Sequence, residues 1–246
     1  MLYSTEAIIL QTHNYGDTSL ICNLFSQDFG KLALIAKGAR TLKNPNRAIL
    51  QPLHYIKVEY YYKPNRNMQL LKEASINNHY HKIKKNYSKL TYSYMCIDIL
   101  NKISQFDNPC NIIFRLIKST LYNINENNEE SVKLFYLFYQ IQLFKYLGFQ
   151  PNIKSCSICN RNFINAHYNK NIGQLICSNC DQTKKLKLND KTINLIKTLE
   201  NTHINDIPTI KDYDVSDINL IKKFFIHYIT YHIFDISKIK SLQLIN

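Results

Sequence analysis

Through residues 2–76, apolar and polar positions alternate in short runs, the period-two pattern of strands buried on one face. Five runs carry it: STEAIILQT (4–12), TSLICNLFS (18–26), GKLALIAKG (30–38), HYIKVEYYY (54–62) and MQLLKEASI (68–76). Turn formers separate them, at Asn14-Tyr15-Gly16-Asp17, Asp28-Phe29-Gly30 and Lys63-Pro64-Asn65. In the fourth run Ile56, Val58, Tyr60 and Tyr62 share one face, while Lys57, Glu59 and Tyr61 share the other. That division predicts a half-buried antiparallel strand. Five such strands predict a small closed barrel, with the OB-fold as the commonest five-stranded solution and an SH3-like barrel as its main rival.

At residue 79 the pattern changes. HYHKIKKNYSK (79–89) is polar and basic, and periods of three and four take over beyond it. Helices are predicted over 86–104 and 109–123, with NENNEE (125–130) as a solvated loop. Ser131 reads as an N-cap for a helix whose stripe is Leu134, Leu137, Phe138, Ile141, Phe144 and Leu147. Gly148 stands where a helix-ending glycine belongs, and Pro151 forbids continuation. A second long helix is expected from about Asp217 to Ile236, with Ile218, Ile221, Phe225, Tyr228, Ile229 and Ile233 inward. The fold class is therefore α+β: a five-stranded OB-type barrel over 1–79, then a helical domain over 80–246. The longest uncharged apolar runs, LFYLFYQIQLF (134–144) and FFIHYITYHIF (224–234), are 11 residues each, too short to span a bilayer.

Charge sharpens the division. The 246 residues carry a net +13, with a pI near 9.3. Abundant Asn, Ile, Lys and Tyr, beside 5 Gly and no Trp, fit an A/T-rich coding sequence, which discounts part of the lysine content. Clustering survives that discount: Lys31 to Lys89 holds 13 Lys/Arg against two acids, Glu59 and Glu73, so +11 of the +13 lies there. Such a concentration points to a polyanion or an anionic surface as partner.

The helical half contains CSICNRNFINAHYNKNIGQLICSNC (156–180), a C-x2-C-x17-C-x2-C skeleton of Cys156, Cys159, Cys177 and Cys180. Two cysteines on a tight turn offer one edge of a tetrahedron, and a second knuckle returned by a hairpin completes it. Zinc is the expected ion, one per chain, in a module over about 151–183. Four thiolates close the shell, so the expected role is structural. A zinc deaminase would need H-x-E and P-C-x-x-C, and Ser155 and Ile176 stand where the prolines would. His167 reads as an exposed loop residue, and Cys22, Cys96 and Cys110 as small buried hydrophobes. No alternation-free apolar leader opens the chain, whose first 25 residues carry Glu6 and Asp17; with the paired cysteines this suggests the cytosol.

Nothing argues for catalysis. P-loop, G-x-G-x-x-G, H-E-x-x-H and G-x-S-x-G patterns are absent from the sequence. A barrel with a basic edge suits a nucleic-acid groove, since Lys and Arg neutralise phosphates and strand-face aromatics stack bases. Tyr15, Tyr55, Tyr60, Tyr61 and Tyr62 are the aromatics available for stacking.

TEAIILQTHNYGDTSLICNLFSQDFGKLALIAKGAR (5–40), with LQP (50–52) and LLKEA (70–74), resembles the N-terminal domain of the bacterial recombination mediator family RecO. YLGFQPNIKSCSICN (146–160) and GQLICSNC (173–180) are similar to that family's zinc module. Asn160 replaces a common glycine, and Ile172-Gly173 a common Gly-Gly; Asn tolerates the left-handed backbone, so the turn should survive. The resemblance implies a non-enzymatic protein that binds single- and double-stranded DNA and anneals complementary strands. It also implies work with RecR on strands coated by single-strand-binding protein, whose acidic C-terminal tail it docks, to help load RecA, in the cytoplasm at the nucleoid. By position it implies Lys31, Lys37, Arg40, Lys43 and Arg47 as phosphate contacts, with Lys63, Arg66, Lys84 and Lys85 as a second tier. The other readings are an OB plus zinc-ribbon RNA-binding module, a metalloenzyme, which the closed shell disfavours, and an interaction scaffold.

Overall fold

A computed structural model describes residues 1–104, 110–163, 165–181 and 186–232. The chain divides into two compact units, Met1–Glu126 and Asn127–Asn246.

The first unit contains the barrel. Its strands are β1 (Leu2–Tyr15), β2 (Ser19–Ser26), β3 (Gly30–Ala36), β4 (Tyr55–Tyr61) and β5 (Gln69–Asn78), closed in the order β1-β2-β3-β5-β4. β1 pairs antiparallel with both β2 and β4. Closure depends on a short parallel contact, Leu34 to Gln69 and Ile35 to Leu70. The expected alternation holds on β4: Ile56, Val58 and Tyr60 are buried, Lys57 and Tyr61 exposed. Ile56, Val58 and Tyr60 join Ala7, Ile9, Leu24, Leu34 and Leu71 in the barrel core.

β1 departs from simple alternation, because Ile8, Ile9 and Leu10 are all buried. A register shift lies between Ile9 and Gln11, and α3 (Tyr87–Ile103) packs beside this strand and covers its outer face. Asn101 of α3 donates from Nδ2 to Gln11 Oε1 at 3.1 Å. A four-residue helix α1 (Asn46–Ile49) interrupts the link between β3 and β4. A similar turn, α2 (His81–Lys84), precedes α3, and α4 (Asn111–Glu126) completes the unit. Asn86 caps α3 by accepting from the Lys89 amide at 2.9 Å.

In the second unit, α5 (Val132–Tyr146) is not the one-sided stripe its spacing suggested. Every residue from Leu134 to Phe144 is buried, Gln140 and Gln142 included. α6 (Asp190–Asn201), the 3-10 turn Ile204–Thr209 and α7 (Val215–His232) all pack on it. Ser131 precedes α5 in helical conformation without capping it; its hydroxyl bonds the Asn128 side chain instead. At the other end Gly148 has φ 77, with its N–H on Lys145 O at 3.2 Å and that of Phe149 on Phe144 O at 2.9 Å. These two bonds close the helix as its glycine predicted. Ile218, Ile221, Phe225, Tyr228 and Ile229 of α7 are buried, whereas Ile233 and the expected end at Ile236 lie outside the described residues.

Candidate metal centre and nucleic-acid interface

Two knuckles and a hairpin assemble the cysteines. Ser155 bridges Asn162, the Cys156 amide donates to Arg161 O, and that of Asn160 returns to Cys156 O, both at 2.9 Å. Asn160 takes φ 58, the left-handed turn its amide side chain tolerates. β6 (Ala166–Asn169) and β7 (Gln174–Cys177) then bring the second pair back, and Cys180 N–H bonds Cys177 O at 3.0 Å. The ligating sulfurs of Cys156, Cys159, Cys177 and Cys180 all lie within 4.8 Å of one another. Cys159 and Cys177 Sγ stand 3.8 Å apart, which matches the edge, about 3.8 Å, of a thiolate tetrahedron built on metal–sulfur bonds of about 2.3 Å.

Electrostatics favour a cation at this centre. Burial opposes ionisation of Cys156, but the amides of Cys159, Cys177 and Ile158 directed at its sulfur hold the thiol down at about 6. Cys180 is pushed up to about 12 by its hydrogen bond with Cys177, by burial, and by Cys159 and Cys156. The Cys156 thiolate forms readily, and a positive ion among the sulfurs would let Cys180 follow. His167 is not the exposed loop residue the sequence suggested. It lies on β6, buried, with Nδ1 3.2 Å from Asp181 Oδ2 and Nε2 3.3 Å from Ser178 Oγ. It is outside the four-sulfur group and braces the second knuckle. The hairpin is also held by α7: Tyr168 donates to His227 O at 3.1 Å, and the Tyr231 ring lies where a Cβ on Gly173 would come within 2.2 Å. Gly173 therefore cannot take a side chain without moving that ring.

The nine cationic candidates occupy three places in the first unit. Lys37, Arg40, Lys43 and Arg47 lie on the link from β3 into α1, and Lys37, Lys43 and Arg47 are exposed. Arg40 ties this link to the β1–β2 turn, through its amide to Thr18 O at 2.8 Å and Nη1 to Gly16 O at 3.1 Å. Among the described residues none of these four is in an ion pair, whereas other lysines of the unit are paired. Glu59 pairs with Lys72 at 3.0 Å and Glu6 with Lys118 at 3.4 Å. Lys31 and Arg66 line a cavity of about 540 Å³ between β3 and the β4–β5 turn, where Lys63 also sits. Lys31 Nζ donates to Asn101 O at 2.6 Å, and burial, then Lys102, lower its pKa. It is thus partly committed to anchoring α3. Lys84 and Lys85 end α2, with Lys84 Nζ 2.5 Å from His54 Nε2 and 3.0 Å from Gln51 Oε1.

This architecture has known relatives. Residues 1–80 match the family model "Recombination protein O N terminal" and residues 84–243 match "Recombination protein O C terminal". The chain belongs to the RecO family. The DNA repair protein RecO of Salinibacter ruber is 33% identical over 149 residues, 61% of this chain and 57% of that protein. That of Chloroherpeton thalassium is 30% identical over 156 residues, 63% of this chain and 60% of its own length. The RecO of Alkaliphilus metalliredigens is 25% identical across 81% of both chains. The matched segment thus spans under two thirds of the first two relatives.

Within this RecO barrel the aromatic candidates divide by burial. Tyr60 lies in the core at 1% exposure and offers no face to a base. Tyr55 is buried too, donating to Glu6 Oε2 at 2.5 Å and accepting from Lys118 Nζ at 2.7 Å. Tyr62 packs edge-on against Tyr3 at 5.1 Å. Tyr15 and Tyr61 stand exposed. Cys22 and Cys96 are buried as expected, while Cys110 is only partly covered. The cavity lining was missed at the sequence level: Asn23 and Phe29 meet Asn67 only after barrel closure, and no linear pattern joins them. No helix among the described residues is long and apolar enough to cross a membrane.

Proposed function

We propose that this chain is a non-enzymatic DNA repair mediator that binds single- and double-stranded DNA through its barrel, without sequence preference, and anneals complementary strands. The observation that carries this reading is the β3–α1 link, four cations with no acid within the segment, on a barrel of the RecO family. Annealing needs two polyanions held close with their repulsion screened, which a cationic surface provides without reading bases. Lys37, Arg40, Lys43 and Arg47 contact phosphates first, with Lys63, Arg66 and Lys85 around them and Lys31 and Lys84 contributing less, being bonded within the unit. Tyr15 and Tyr61 supply stacking faces. The four cysteines hold one structural Zn²⁺, which stabilises a module too small for a core of its own. RecR, the acidic tail of single-strand-binding protein and, indirectly, RecA are the proposed partners, in the cytoplasm at the nucleoid.

The test is strand annealing. Complementary oligonucleotides coated with single-strand-binding protein from the same source are followed to duplex, with and without the chain, at two salt concentrations. Acceleration that weakens with salt is expected. Binding without acceleration would reduce the chain to a binding module, and preference for RNA in direct competition would favour the RNA-binding reading.

A further inference from the structure

We propose that Leu42 is an apolar wedge that enters between neighbouring bases of a bound single strand while the surrounding cations hold its phosphates. The inference rests on the nucleic-acid reading above and adds insertion between neighbouring bases, which that reading, with its stacking faces alone, does not contain.

Leu42 is 88% exposed, the most exposed large apolar side chain among the described residues. A single exposed leucine is ordinary. This one is distinguished by what holds it and what surrounds it. The link from Lys37 to Arg47 is hydrogen-bonded throughout. Thr41 donates from its amide and its hydroxyl to Gly38 O, at 3.1 and 2.9 Å, and Asn44 Nδ2 reaches the same carbonyl at 3.1 Å. The Asn44 amide bonds Thr41 O at 3.1 Å, and Asn44 Oδ1 accepts from the Asn46 amide at 2.9 Å. Ala39, fully buried, anchors the link in the barrel core, and Arg40 bonds it to the β1–β2 turn. Leu42 is therefore presented on a fixed loop instead of folding back onto its own surface.

The segment itself carries charge of one sign, and the nearest acid in the contacts that hold it is Asp17, in the β1–β2 turn that Arg40 bonds. Lys37, Arg40, Lys43 and Arg47 flank it without an acid in the segment, and Tyr15 stands exposed beside the turn that Arg40 grips. An apolar side chain amid phosphate contacts is the arrangement by which proteins part stacked bases. Parting costs least in a single strand, which makes that the favoured partner. A leucine among cations also suits an anionic lipid surface, but one leucine buries too little to anchor there.

The experiment uses the full chain and a single-stranded oligonucleotide carrying 2-aminopurine, which brightens on unstacking, with a second dye reporting binding by anisotropy. The native chain is expected to brighten the base at saturation. Leu42→Ala is expected to bind about fivefold to tenfold more weakly, as loss of a partly buried leucine implies, with unchanged salt dependence and no brightening. Leu42→Phe should retain the signal. Because Leu42 touches no core, the melting temperature should not move. Equal brightening by Leu42→Ala, or none by the native chain, would overturn the wedge while leaving the phosphate contacts in place. Absence of binding at low salt would overturn the nucleic-acid reading itself. Loss of phosphatidylglycerol-vesicle binding in Leu42→Ala, with brightening intact, would assign the residue to a membrane instead.

Discussion

His54 shows how far a residue's role depends on groups remote in sequence. It is buried, with Nδ1 2.8 Å from Ile49 O, so that nitrogen carries the proton and donates. Nε2 is left to accept from Lys84 at 2.5 Å. A second proton on the ring would set an imidazolium N–H against an ammonium. Burial lowers the His54 pKa below 6.5, Lys84 and His79 add to the shift, and the bond to Ile49 opposes it. The unfolded chain thus takes up this proton at higher pH than the folded one. The stabilisation is complete above the ordinary histidine value and is lost as pH falls through the lower folded value. The urea midpoint should therefore drop between about pH 7.5 and about pH 5.5, and His54→Asn, which keeps a donor for Ile49 but has no basic nitrogen, should flatten part of that drop. An identical pH profile in the variant would remove His54 from the account. Lys84 was legible as a cation, but its bond to residue 54 was not, since no local pattern joins positions 30 apart.

Elements were legible where one face alone is buried. β4 could be read residue by residue because Lys57 and Tyr61 face outward. β1 could not, because α3 covers its second face, and α5 could not, because neighbours enclose it on all sides. Wrapping of that kind is set by tertiary packing and leaves no period to detect. The four-cysteine module was legible for a different reason: ligand spacing is a local constraint, and Asn160 and Gly173 supply the left-handed positions its turns require. Its stability should depend on the metal. Chelation, or Cys177→Ser, should expose the β6–β7 hairpin to protease, giving cuts within 151–181 while a fragment carrying the barrel survives, as mass spectrometry of the digest would show. A module that resists cleavage after metal removal would show that its packing on α7, through Tyr168 and Tyr231, is sufficient alone.

At the scale of the molecule the decisive feature is where charge is left unbalanced. Lys72 and Lys118 are balanced by Glu59 and Glu6, and Lys31 is bonded to a helix carbonyl, so counting lysines overstates the cations free to meet phosphate. On the β3–α1 link, by contrast, four cations lie close in sequence and none is in an ion pair among the described residues. If its four cations each contact a phosphate, each releases bound counterions, and the slope of log affinity against log salt carries about 0.7 for each contact on a single strand. Replacing Lys37, Arg40, Lys43 and Arg47 together by glutamine should lower that slope by about 3 and weaken binding most at low salt. Neutralising Lys57 and Lys72 removes nominal charge from β4 and β5 and should leave the slope nearly unchanged, because Lys72 is already paired. The control matters, since loss of any two positive charges weakens long-range attraction to a polyanion somewhat. Losses of slope in proportion to the charge removed, four against two, would mean that the chain attracts DNA by total charge, and that the basic link has no privileged contact with it.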